Sequence, residues 1–133
     1  MKSFAASNKK LFSGLILFFG LILIPDLSLA CDTKITVNGE AKEQYQSGDE
    51  VILKVTIFLP HKDCDVPIND TKFKVEGLTV LGATKWKLNS PGLYERLVKV
   101  KINATEHNQS VLHVQRVCKK EGGYGAITLK TQP

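Results

Sequence analysis

The sequence predicts an all-β fold: an antiparallel β-sandwich of about seven strands that follows an N-terminal export signal. Residues 47–59, SGDEVILKVTIFL, place apolar side chains at every second position, which is the period of a strand with one buried face. Similar segments recur at short spacing with turn signals between them. No segment after residue 30 has the period of a helix.

The first 30 residues differ from the rest of the chain. Three lysines precede an apolar run over residues 11–24, and the small residues Ser28 and Ala30 precede Cys31. This order is typical of a secretory signal peptide that is cleaved after Ala30. The run has 14 residues, whereas a spanning helix needs about 20. We therefore expect residues 1–30 to be removed and residues 31–133 to be exported to the periplasm or the cell exterior.

Cys31 allows a second interpretation of the same cleavage site. A cysteine after a small residue resembles a bacterial lipobox, in which that cysteine carries a lipid, although Ser28 and Leu29 stand in swapped order here. Lipidation of Cys31 would be the only link to a membrane, and a single chain gives marginal membrane binding. Plain export and lipid anchoring both remain open.

We call the segment 47–59 the central strand. Shorter strands are predicted before and after it in the sequence, and glycine, asparagine or proline residues separate them. Within the second of them, Phe73 and Val75 share one face and two lysines the other, which indicates a half-exposed strand. The predicted strands besides the central one are 33–37, 71–75, 78–81, 83–88, 93–102, 111–118 and 125–130.

Three connections and one strand have distinctive local signals. Pro91 and Gly92 predict a turn, because proline presets φ and glycine accepts a positive φ. In the strand that follows, Arg96 falls in the apolar phase, so we expect it near a rim. The polar segment 103–109 predicts a hairpin loop, and the glycine-rich segment 119–125 predicts a flexible turn.

Trp86 is the single tryptophan and lies between two lysines. Strand alternation turns both lysines outward when the ring turns inward. This favours a plug between the sheets over a ligand platform.

The segments GDEVILKVTI and SPGLYERLVKVKI resemble those of bacterial secreted immunoglobulin-like modules. Residues 31–133 also have the usual size of such a sandwich. The resemblance covers about half of this region and implies an immunoglobulin-like fold without implying an activity. The disulfide of antibody domains does not carry over by position, because Cys64 lies beyond the central strand.

The chain has three cysteines, Cys31, Cys64 and Cys118. An oxidising compartment makes one disulfide expected, and three pairings are possible. Spacing favours Cys64 with Cys118, which are also the two that remain if Cys31 is lipidated. In the chain-entropy model a loop of that length stabilises the fold by about 4 kcal/mol.

A metal or thiol site is the alternative interpretation of the same residues. His61 and Cys64 have an H-x-x-C spacing, and His113 and Cys118 lie on one later strand. Thiolate and imidazole together suit copper or zinc. His113 and Cys118 are five residues apart, so a regular strand would place them on opposite faces unless a bulge intervened.

The remaining patterns restrict the function. Lysines alternate with apolar residues instead of forming a dense stripe, so nucleic-acid binding is not expected despite a net charge of +5. No nucleophile motif accompanies the histidines, so we expect neither an enzyme nor a cofactor. The prediction is a non-enzymatic binding or accessory module of a cell-envelope complex. Its expected contact surface for a protein partner comprises the loops 60–70 and 119–125.

Overall fold

The computed structural model describes residues 31–59, 66–118 and 122–133. Within them, eight strands form two antiparallel sheets, which confirms the predicted all-β sandwich class. In the described ranges the only helix is the 3-10 turn Ile68–Asp70, and no helix there could cross a membrane. The strands are β1 (Asp32–Val37), β2 (Glu50–Phe58), β3 (Lys72–Glu76), β4 (Leu78–Ala83), β5 (Lys87–Ser90), β6 (Leu93–Ile102), β7 (Gln109–Val117) and β8 (Gly122–Lys130).

The larger sheet has five strands in the order β1-β2-β6-β4, and β5 also pairs with β6. The smaller sheet has the order β3-β7-β8. Strand β2 has a neighbour on each side, β1 and β6. Antiparallel pairing places opposite residues on the same face, so the register defines which side chains point between the sheets.

The core lies between the two sheets and follows the alternation of the strands. Leu53, Val55 and Ile57 of β2 are fully buried. Burying each such side chain stabilises the fold by about 1.5–3 kcal/mol. The other buried members are Tyr45, Val51, Leu78, Val98, Val100, Ile102, Leu112, Val114 and Leu129.

The predicted hairpin over residues 103–109 is wrong. Strand β6 pairs with β2, β4 and β5, whereas β7 pairs with β3 and β8, so this segment crosses from one sheet to the other. Polar composition identifies a loop but carries no information about which strands pair. The Pro91-Gly92 turn is confirmed: Gly92 has a φ of 77°, and its carbonyl accepts a hydrogen bond from Leu59 N at 2.8 Å.

The predicted glycine-rich turn is also partly wrong, because β8 already begins at Gly122. Gly123 and Gly125 occupy inward positions of β8, and β1 passes directly across them. A Cβ at 123 would lie 2.6 Å from the Cβ of Cys31, and one at 125 would lie 2.8 Å from the carbonyl oxygen of Thr33. Glycine therefore lets β1 close one side of the sandwich against β8.

The predicted strand 83–88 is interrupted. Strand β4 ends at Ala83 and β5 begins at Lys87, with register shifts against β6 in both strands. Trp86 lies in the gap and packs against the core. It does so at the side of the sandwich opposite β1, which we call the open side because Val80 and Leu88 of β4 and β5 stay exposed there. This position agrees with the predicted plug between the sheets.

Candidate functional site

The outer face of the smaller sheet carries an aromatic and charged cluster. Strand register places Gln115 beside both Lys72 and Tyr124, and places His113 beside Lys74. These positions alternate with the inward set of Phe73, Val114 and Gly125, so they lie on the outer face of the sheet. We call this surface the Tyr124 face; its residues are Lys72, Lys74, Glu76, His113, Gln115, Val117 and Tyr124.

Tyr124 is exposed yet held in place. Its side chain is 61% exposed, and its hydroxyl lies 2.6 Å from His113 Nδ1. The tyrosine hydroxyl donates when Nδ1 is unprotonated, and the ring nitrogen donates in the other tautomer. The two ring centroids are 5.9 Å apart. Val117 is also 61% exposed, which adds apolar surface to the same face.

Charged side chains surround these two residues. The carboxylate of Glu76 lies 3.6 Å from His113 Nε2 and 3.9 Å from Lys74 Nζ. The exposed ion pair of Lys74 and Glu76 contributes little stability at this length. Lys72 and Lys74 outnumber Glu76 on β3, so this edge of the face is basic.

Arg116 fixes the described end of the loop 60–70 to β7. Its side chain is 1% exposed and points inward with Leu112 and Val114. Nη2 donates to the Val66 carbonyl at 2.8 Å, and Nη1 donates to Thr71 Oγ1 at 2.8 Å. The sequence did not identify this anchor. Its one signal was an arginine at an inward position of a strand, which requires hydrogen-bond acceptors when buried.

Two of the three cysteines, Cys31 and Cys118, lie in the described part of the chain. Cys31 is buried and unpaired, against Gly123. Cys118 directly follows β7 and is half-buried. His61 and Cys64 lie outside the described residues, so neither the predicted disulfide nor the complete metal set is tested.

The two described members of the proposed metal set stay apart. Strand β7 pairs with β8 without a register shift from Gln109 to Val117, so no bulge turns His113 towards the inward phase. His113 instead contacts Tyr124 on the outer face. In the described ranges, no three histidine, cysteine or acidic side chains are grouped as metal ligands would be.

Comparisons of the chain with protein-family models, curated proteins and solved structures found no significant match. Inferences about function therefore depend on the site itself.

Proposed function

We propose that this protein is an exported, non-enzymatic immunoglobulin-like module that binds a protein partner in a cell-envelope complex through the Tyr124 face. The strand orders β1-β2-β6-β4 and β3-β7-β8 support the immunoglobulin-like assignment. They correspond to the ABED and CFG sheets of constant-type domains when β4 and β5 are counted as one strand. The basic, apolar and small residues before Cys31 support export.

The observation that carries the proposal is the exposed ring of Tyr124, held by its hydrogen bond to His113. Tyrosine is enriched at interfaces because it combines a large apolar ring with a polar group. A side chain that is already fixed loses less conformational entropy when it binds. The ring stands within the predicted contact segment 119–125, in the part of it that belongs to strand β8.

The charge of the face indicates what kind of partner it fits. Lys74 is 77% exposed, and Lys72 stands beside it on the same side of β3. A partner surface that offers acidic residues around an apolar pocket complements this arrangement. Such a contact forms faster at low ionic strength, because salt screens exposed charges.

We also propose a Cys64–Cys118 disulfide that joins the two contact loops. The hydrogen bond from Arg116 to the Val66 carbonyl supports it, since Val66 follows Cys64 by two residues and Arg116 precedes Cys118 by two. The burial of Cys31 against Gly123 favours plain export over a lipid on its sulfur.

A photoreactive phenylalanine analogue at position 124, expressed in the native host, tests the proposed face. We expect it to crosslink to a discrete envelope protein, and Lys74→Glu to reduce the yield. The matched control carries the analogue at position 99, which is exposed on the outer face of the other sheet. Identical products from both positions, or no product from position 124, would contradict the proposal.

A further inference from the structure

At the open side of the sandwich, an arginine lies over two aromatic rings that pack against each other. Arg96 on β6 stands opposite Val55, whose side chain is fully buried, so Arg96 belongs to the inward set. Its guanidinium carbon lies 5.0 Å from the centroid of the Trp86 ring and 5.6 Å from that of Phe73. Both distances are within the range of a cation–π contact. Desolvation lowers the pKa of Arg96 below its ordinary value, and the group remains charged.

The guanidinium has a fixed orientation. Nε and Nη2 both donate to the Thr84 carbonyl, at 3.0 and 2.7 Å. Thr84 is itself held to β6, since its Oγ1 accepts a hydrogen bond from Leu97 N at 2.9 Å. A cation that is oriented before a ligand arrives loses little entropy on binding.

This arginine lacks a carboxylate partner among the described residues. None of the ion pairs in the described part of the chain includes Arg96, and its Nη1 donates to no group there. Beneath it, the buried indole Nε1 of Trp86 also has no acceptor. The guanidinium thus presents its Nη1 donor and a positive charge in a partly desolvated position, where a hydrogen bond to an anion is strongest.

Apolar side chains flank the cluster on the same side. Val80 stands opposite Val100 and Leu88 opposite Tyr94, so both belong to inward positions. They are nevertheless 44% and 57% exposed. A strand edge that exposes inward-phase apolar residues beside a cation fits a ligand that is both acidic and apolar.

We propose that this open side is a second binding site, in which Arg96 takes the carboxylate of a polypeptide partner, Leu88 contacts an apolar side chain next to it, and Val80 contacts one further along the partner chain. The site is independent of the Tyr124 face, because it lies between the sheets at the β4–β5 edge. The carboxylate belongs either to an acidic side chain or to a chain terminus, and guanidinium chemistry accepts both.

Fluorescence of Trp86, the single tryptophan, reports directly on this site. The probes are acetyl-Leu-Glu-Leu-amide, the neutral acetyl-Leu-Gln-Leu-amide, and acetyl-Leu-Gly-Leu with a free carboxyl terminus. We expect a saturable change with at least one carboxylate peptide and none with the glutamine peptide. The Glu and free-terminus peptides together show which source of carboxylate the site prefers.

Two variants assign the effect to Arg96. Arg96→Gln is expected to weaken binding by about tenfold or more, since it removes a charge-assisted hydrogen bond. Lys99→Gln removes the same charge from the outer face of the same strand and should leave binding unchanged. If Arg96→Gln does not fold, Arg96→Lys serves instead: it keeps the charge and should still bind more weakly, because it loses the planar guanidinium.

Three outcomes would overturn the proposal. They are no saturable change with either carboxylate peptide, an equal change with the glutamine peptide, and unchanged binding in the folded Arg96 variant. Arg96 would then only cover the aromatic rings.

Discussion

At the scale of single residues, two arginines occupy inward strand positions, but one is buried against a loop and the other lies at the edge of the sandwich. Arg116 is almost fully buried and donates to the loop around Val66 and Thr71. Arg96 lies at the open side and rests on aromatic rings. Both follow the rule that a charge removed from water needs compensating contacts. The first fixes a loop, and the second leaves donors for a ligand.

Arg116→Met should lower the free energy of unfolding by about 2–5 kcal/mol, because it leaves the carbonyl of Val66 and the hydroxyl of Thr71 without their donor. Urea denaturation measures this loss. Hydrogen exchange should also speed up at the amides of Asp70 and Thr71, which close the 3-10 turn.

Lys101→Met is the control for this experiment, since Lys101 is exposed on β6 and its replacement should be nearly neutral. Equal losses in the two variants would show that Arg116 does not anchor the loop.

At the scale of elements, β8 shows how close packing can override local preference. Glycine is unfavourable in a strand interior, because it has no side chain to pack and loses much entropy on folding. Gly123 and Gly125 are nevertheless in β8, since β1 passes where a Cβ would stand. The same closeness buries Cys31 and closes this side of the sandwich.

Gly125→Ala should destabilise the fold by about 1–3 kcal/mol, because the new methyl group meets the backbone of Thr33 and forces β1 outward. Gly82→Ala in β4 is the matched control, as nothing lies within 4 Å of its Cβ position. It should be neutral or slightly stabilising. Thermal melting of both variants measures the difference, and a similar melting temperature would refute the close approach of β1.

At the scale of the whole molecule, the two sides of the sandwich differ. One side is closed by β1 on β8, and Tyr45 adds a bridge to Thr131. The other side is open around Trp86. The second proposed binding surface follows from this asymmetry, because it lies at the interrupted β4–β5 edge, whereas the Tyr124 face lies on the outside of the smaller sheet.

The state of Cys64 and Cys118 distinguishes the proposed binding module from a metal- or thiol-handling protein. With a disulfide, the unreduced Cys31→Ala variant should incorporate no alkylating reagent, and reduction should add two hydrogens to its mass. Cys118→Ser should then lower the free energy of unfolding by about 2–5 kcal/mol.

Intact mass of the protein from its host checks the same point and also reports cleavage after Ala30 and any lipid on Cys31. Stoichiometric copper or zinc, with thiols that react only once metal is removed, would favour the metal alternative.

Local pattern was sufficient for most strands. The bounds 93–102 predicted from alternation are those of β6, and Val51, Leu53, Val55 and Ile57 are buried as the period indicates. In a strand with one buried face, apolar residues recur at every second position of the sequence, so the pattern is local. The inward phase of Arg96 and the plugging position of Trp86 could be predicted for the same reason.

The candidate sites depended on contacts between distant segments, which have no local signal. The contact of Tyr124 with His113 arises from the register of β7 and β8, and the loop between β6 and β7 crosses sheets because of pairings with strands far along the chain. The sequence by itself therefore determined most of the strands and their buried faces. Only the tertiary structure decided which strands became neighbours, which side of the sandwich stayed open, and which polar side chains met, because those outcomes follow from long-range packing.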